Sequence, residues 1–142
     1  MRQVKDLLQG KGREVFSVDP DQPVLAAIQA MADHHVGALL VMQAGELVGI
    51  ISERDYARKV ILLGRSSAET PVWQIMSSPV ETVSGQHTVD ACMRLCTDRR
   101  IRHLPVMDAG KVVGVVSIGD LVKAVIDEQA EELAQLQRYI AG

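Results

Sequence analysis

The sequence predicts a mixed α/β (α+β) fold of two pseudo-symmetric β-α-β-β-α repeats packed as one module, with a C-terminal helix. Three observations predict it. First, GIISERD at Gly49–Asp55 recurs as GVVSIGD at Gly114–Asp120, an offset of 65 residues, and sliding the chain by that offset aligns Val15–Tyr56 with Val80–Leu121 without a gap. Of those 42 pairs 14 are identical, including Leu39/Leu104, Val41/Val106, Gly45/Gly110 and Ser52/Ser117. Second, that period is too long for most solenoid units, so it reads as one supersecondary unit duplicated. Third, 142 residues suit a single domain or two closely packed halves, because one half alone would be marginal in the surface it buries. The boundaries read as 1–64 for the first repeat, 65–125 for the second and 126–142 for a C-terminal amphipathic helix.

In chain order, Val4–Leu8 is a short helical lead-in ended by Gly10 and Gly12. Its counterpart is Thr70–Met76, where Thr70 suits a cap and Pro71 the first helical turn. Short extended pieces follow at Glu14–Val18 and Val80–Val83. From Pro23 to His35 apolar residues fall at Val24, Ala27, Ile28, Met31 and Ala32, which is helical spacing, repeated at Val89, Cys92, Met93 and Cys96. Strand pairs are expected at Ala38–Met42 with Leu47–Ser52, and at His103–Met107 with Val112–Ser117. Gly45 and Gly110 in the connectors permit positive φ and a tight hairpin. The strands are nearly continuous Val, Ile and Leu, as expected when both faces are covered. A helix then starts at each of Ser52 and Ser117. The first is expected to run to Leu63. The second continues through Val122, Ile126, Gln129, Leu133, Leu136 and Ile140, spaced 4, 3, 4, 3, 4, which is either a coiled-coil-like seam or an intramolecular amphipathic face.

A net charge of −3 gives no pull toward nucleic acid or anionic membrane, and 3% aromatic content leaves little to stack on bases. No apolar run reaches the length of a membrane span and the first residues lack a secretory core, so a cytoplasmic location is expected. Cys92 and Cys96 align with Ala27 and Met31, which reads them as reduced core thiols. His34-His35 lacks the further ligands that a metal needs, so no metal is expected. Neither a P-loop nor Gly-x-Gly-x-x-Gly occurs, and no catalytic residues are assigned.

Ser-x-x-Asp at a helix mouth is a capping box, and that alone accounts for its spacing. The same geometry offers chemistry. Free amides and the partial positive charge of a helix start attract phosphate, while an Asp one turn in accepts hydrogen bonds from ribose hydroxyls. Gly49 and Gly114 would allow close backbone approach. The copies differ, since Arg99-Arg100-Ile101-Arg102-His103 stands where the first has His34-His35-Val36-Gly37-Ala38. Arginine forks suit phosphate oxygens. Conversely, the first copy has Arg54 where the second has Gly119.

The twin motifs, the segment Arg99–Ser117 and the joining Ile75–Val83 make the chain from Val4 to Ala124 resemble a tandem pair of cystathionine β-synthase (CBS) domains, a Bateman module, of a stand-alone kind. The resemblance implies a non-enzymatic sensor that binds an adenosine-containing nucleotide such as AMP, ATP or NAD(H) in a cleft between the repeats. It further implies a homodimer that signals to a protein target not identified by the sequence. The ribose and phosphate residues it points to are Gly49, Ser52, Arg54, Asp55, Arg102, His103, Gly114, Ser117 and Asp120. Those it points to for the base are Val15, Phe16, Ser17, Ala38, Val80, Glu81 and Thr82. The alternative is a structural dimerisation or interaction protein whose sites are vestigial caps.

Overall fold

A computed structural model describes residues 2–141. Among them the order is α1 (Val4–Lys11), β1 (Ser17–Val18), α2 (Val24–His34), β2 (Ala38–Gln43), β3 (Glu46–Ser52) and α3 (Glu53–Tyr56). A π-helical turn (Ala57–Ile61) and a 3-10 turn (Val72–Gln74) lead to β4 (Val83–Ser84), α4 (Val89–Arg99), β5 (His103–Asp108), β6 (Lys111–Ser117) and α5 (Ile118–Ala141). The mixed α+β class and both β-α-β-β-α repeats are therefore as the sequence predicts. Each repeat makes a three-stranded sheet, β1-β2-β3 or β4-β5-β6, with the first pair parallel and the second antiparallel.

The hairpins show how closely the copies match. Both turns hold only two residues, Ala44-Gly45 and Ala109-Gly110, all at positive φ. This is the conformation whose twist suits a two-residue hairpin, and the glycine carries it without steric cost. Each hairpin also carries a register shift, between Val41 and Met42 and between Val106 and Met107. A bulge there follows from the extra residue on the second strand, Val48 or Val113.

Packing divides the chain into two compact units that cut across the repeats: Val15–Glu81, and Met1–Glu14 together with Thr82–Gly142. In the first, Val18, Val24, Ala27, Met31, Leu39, Val41, Ile51 and Val60 are buried together with Val72 and Ile75. In the second, Val83, Val89, Cys92, Cys96, Leu104, Val106, Val116, Leu121 and Ala124 enclose Val4 and Leu8. Each repeat's lead-in is thus built into the core that holds the other repeat's sheet. Backbone bonds fix the exchange. Val4 N–H donates to His87 O at 2.9 Å, and Val72 N–H donates to Gln22 O at 2.9 Å.

Several elements differ from expectation for local reasons. Helix α1 runs through Gly10 to Lys11 and stops at Gly12, whose φ of 101° ends it. The Thr70–Met76 stretch makes only a three-residue 3-10 turn after Pro71, and Thr70 bonds back to Ser66 O at 2.7 Å. The helix after Ser52 widens to π geometry after one turn and ends at Ile61, short of Leu63. The extended pieces form strand only at Ser17–Val18 and Val83–Ser84, where β2 and β5 supply partners. Helix α5, by contrast, is continuous from Ile118 to Ala141, as the sequence spacing predicts.

Candidate functional site

The two Ser-x-x-Asp motifs sit where a strand becomes a helix, and both close as capping boxes. In the first, Asp55 N–H donates to Ser52 Oγ at 3.1 Å and Ser52 N–H donates to Asp55 Oδ2 at 3.0 Å. In the second, Asp120 N–H donates to Ser117 Oγ at 3.1 Å and Ser117 N–H donates to Asp120 Oδ2 at 2.8 Å. Reciprocal bonds of this kind satisfy two orphan amides and hold the carboxylate in one place.

Beyond the cap the copies diverge. Asp55 Oδ2 also accepts from Ser52 Oγ at 3.1 Å, while Oδ1 accepts from Ser77 Oγ at 3.3 Å and pairs with Lys59 Nζ at 3.1 Å. A carboxylate offers about four lone-pair directions, so four donors use them up. The Asp55 side chain is correspondingly only 12% exposed. At Asp120 both hydrogen bonds fall on Oδ2, one from Ser117 N–H and one from Lys11 Nζ at 2.5 Å, and the side chain is 26% exposed. Lys11 Nζ also donates to Val115 O at 2.6 Å.

Burial would raise the Asp120 carboxyl, but the Lys11 hydrogen bond, the Ser117 amide, the Lys11 charge and the Ser117 hydroxyl together hold it below the usual carboxylate range. It is an anion at neutral pH. The pair borders a hollow of about 560 Å³ that is also lined by Arg2, Asp6, Lys123 and Asp127.

The other sequence-predicted residues are distributed as follows. His103 pairs with Ser117 across the β5–β6 ladder, and Arg102 O accepts Ile118 N–H at 2.8 Å. Arg102 and His103 therefore stand beside the second helix mouth, with Arg102 exposed. Ala38 pairs with Ser52 in the same way, and Gly37 O accepts Glu53 N–H at 3.0 Å. Phe16 O accepts Leu40 N–H at 3.1 Å and its ring stacks on His34 at 3.9 Å. Ser17 pairs with Leu40. Val15, Phe16, Ser17, Ala38, Val80 and Glu81 lie in the Val15–Glu81 unit, while Thr82 belongs to the other. Arg54, Glu81 and His103 are each engaged in interactions of their own.

The glycines are occupied from within. A Cβ on Gly49 would meet Met76 Sδ at 2.5 Å, and one on Gly114 would meet Leu8 Cδ2 at 2.8 Å. Their lack of a side chain admits the exchanged lead-ins.

Lys11, Lys59 and Ser77 contact the motif aspartates, and the motif reading misses them. Lys59 follows Asp55 by four residues, a recognisable helical ion-pair spacing. Lys11 is 109 residues from Asp120 in sequence and carries no local signal.

Cys92 and Cys96 are buried in the α4 face of the core. Burial, and then the neighbouring Cys96, push the Cys92 thiol up to about 11, and burial raises Cys96. Both are protonated packing groups at neutral pH. No cluster of three or more metal-ligating side chains occurs among the described residues, and none of their helices is long and apolar enough to cross a membrane.

The CBS-domain family model matches residues 4–61 and again 72–127. This chain belongs to the CBS family. It is similar to the mitochondrial CBS domain-containing protein CBSX3 of Arabidopsis thaliana, at 43% identity over 98% of this chain and 72% of that protein. The crystal structure of the CBS domain NE2398 superposes with a TM-score of 0.85 at 50% identity, covering 88% of this chain and 98% of that one. A more distant CBS pair, protein MJ0100, shares the fold at TM-score 0.80 and 24% identity over 90% of this chain and 98% of its own. It was solved with 5′-methylthioadenosine and S-adenosylmethionine. The matched ranges show that each CBS repeat begins with its exchanged lead-in, so the family unit is the repeat and the packing unit is not.

Proposed function

We propose that this CBS pair is a non-enzymatic regulatory module that binds an adenosine-containing nucleotide, AMP, ATP or NAD(H), at the mouth of α5. The carrying observation is Asp120, an ionised, partly exposed carboxylate fixed by its cap, with an accessible hollow at its side. Asp120 takes the ribose hydroxyls, and the Ser117 hydroxyl takes phosphate, joined by Arg102 and His103. The strand that Thr82 leads into offers backbone groups to the base. The first copy's Ser52 and Asp55, with four donors already on the carboxylate, serve mainly to close the helix start. The adenosine derivatives bound by MJ0100 support this ligand class for a pair of this fold.

Freshly purified protein, denatured and analysed by mass spectrometry, is expected to release an adenosine-containing molecule. Alternatively, ligand-free protein is expected to melt higher with AMP, ATP or NAD. Absence of both effects overturns the assignment.

A second reading concerns assembly. Val122, Ile126, Leu133, Leu136 and Ile140 lie 40–76% exposed along α5. With Gln129 between Ile126 and Leu133, the spacing alternates four and three residues, that of a helix seeking another helix. We infer a homodimer formed through this seam. Ending the chain after Asp127 is expected to convert a dimer to a monomer by light scattering, and a dimer that survives truncation rejects the seam as the interface.

A further inference from the structure

The motif aspartates are each neutralised by a lysine, but by lysines that arrive differently. Lys59 sits on the same helical segment as Asp55, four residues on. Lys11 comes from α1, at the far end of the sequence, and its ammonium spans Asp120 Oδ2 and Val115 O. The position that corresponds to Lys59 in the second copy is Ala124, so Lys11 is not a repeat feature. The Lys11 side chain is 38% exposed and borders the same hollow as Lys123, one helical turn beyond Asp120.

We propose that Lys11 makes this site select ligands that carry a phosphate over the corresponding neutral nucleosides. The inference rests on Asp120 being the ribose acceptor. A diol that bonds to Asp120 competes with the ammonium for the carboxylate. A neutral nucleoside offers nothing in exchange, and a partly buried cation loses its charge-assisted bond. A phosphate on the same ligand, held at the helix mouth, supplies a replacement anion for the released ammonium. Ligand charge is thereby read through the exchange of the Lys11–Asp120 ion pair.

The test is calorimetric titration of the full chain with AMP and with adenosine. Wild-type protein is expected to bind AMP at least about tenfold more tightly than adenosine, on the scale of a charge-assisted contact. Lys11→Met keeps the aliphatic stem and is expected to cut that preference at least about threefold, whereas Lys11→Arg keeps it. Lys5→Met, on the same helix but away from the hollow, controls for net charge and is expected to leave the ratio unchanged. Melting curves of all four proteins establish that each is folded. An unchanged ratio in Lys11→Met, a ratio that falls equally in Lys5→Met, or wild-type protein binding adenosine as tightly as AMP overturns the role of Lys11 while leaving nucleotide binding intact. Wild-type protein that binds neither molecule, nor ATP or NAD, overturns the underlying assignment as well.

Discussion

Asp120→Asn is expected to remove most of the thermal stabilisation that an adenosine nucleotide confers. A ligand at a hundred times its dissociation constant stabilises by about 2.7 kcal/mol, which for a chain of this size raises the melting temperature by about 5–10 °C. The asparagine keeps the shape and one acceptor but supplies neither the charge nor the second oxygen that a diol needs, so the shift should fall below about 2 °C. Asp55→Asn is expected to behave in the opposite way. It perturbs a carboxylate that accepts from Ser52 N–H, Ser52 Oγ and Ser77 Oγ and pairs with Lys59, lowering the stability of the empty protein by about 2 kcal/mol. It leaves the ligand shift intact. Differential scanning fluorimetry on the two variants with and without AMP reads both effects. A full shift in Asp120→Asn rejects Asp120 as the ribose acceptor. The acid side gives a second check. The folded-state carboxyl of Asp120 titrates below its ordinary value of 3.8. Its stabilising contribution is therefore complete above that value and disappears as pH falls through the lowered one. The asparagine variant should lack that part of the acid-induced loss.

Ile75→Ala should cost about 2–5 kcal/mol, as large as any core truncation in the chain. Nothing in the local sequence marks this residue as central, since it follows a three-residue 3-10 turn. Yet Ile75 is completely buried, in the same cluster as Leu39, Val41 and Ile51. Leu8→Ala is the matching change in the other unit, where Leu8 fills the space left open at Gly114. Urea unfolding monitored by circular dichroism measures both. Losses below about 1 kcal/mol would mean that the lead-ins lie loosely on the cores. Gly114→Ala combined with Leu8→Ala is expected to cost less than the sum of the single changes, because the new methyl group occupies part of the vacated volume.

The repeat, the order of its elements and its capping boxes were legible in the sequence because each is a local property. Val24, Ala27 and Met31 fall on one helical face whatever surrounds them, Ala44-Gly45 makes a hairpin from its own backbone freedom, and Ser52 and Asp55 cap one another within a single turn. The π-helical turn after Tyr56 was not legible, because a helical pattern does not distinguish it from a regular helix. Lys59, four residues beyond Asp55, carried a signal that the motif overshadowed.

By itself the sequence determined a duplicated β-α-β-β-α unit with a Ser-x-x-Asp at each second helix mouth, since side-chain periodicity and backbone freedom act over a few residues. Only the tertiary structure decided that α1 and the 3-10 turn trade cores, that Met76 and Leu8 occupy the space at the two glycines, and that Asp55 is closed while Asp120 shares a lysine with a hollow. Those outcomes depend on which distant chain segment fills a given volume or reaches a given charge. Two near-identical motifs can therefore stand in unlike electrostatic surroundings.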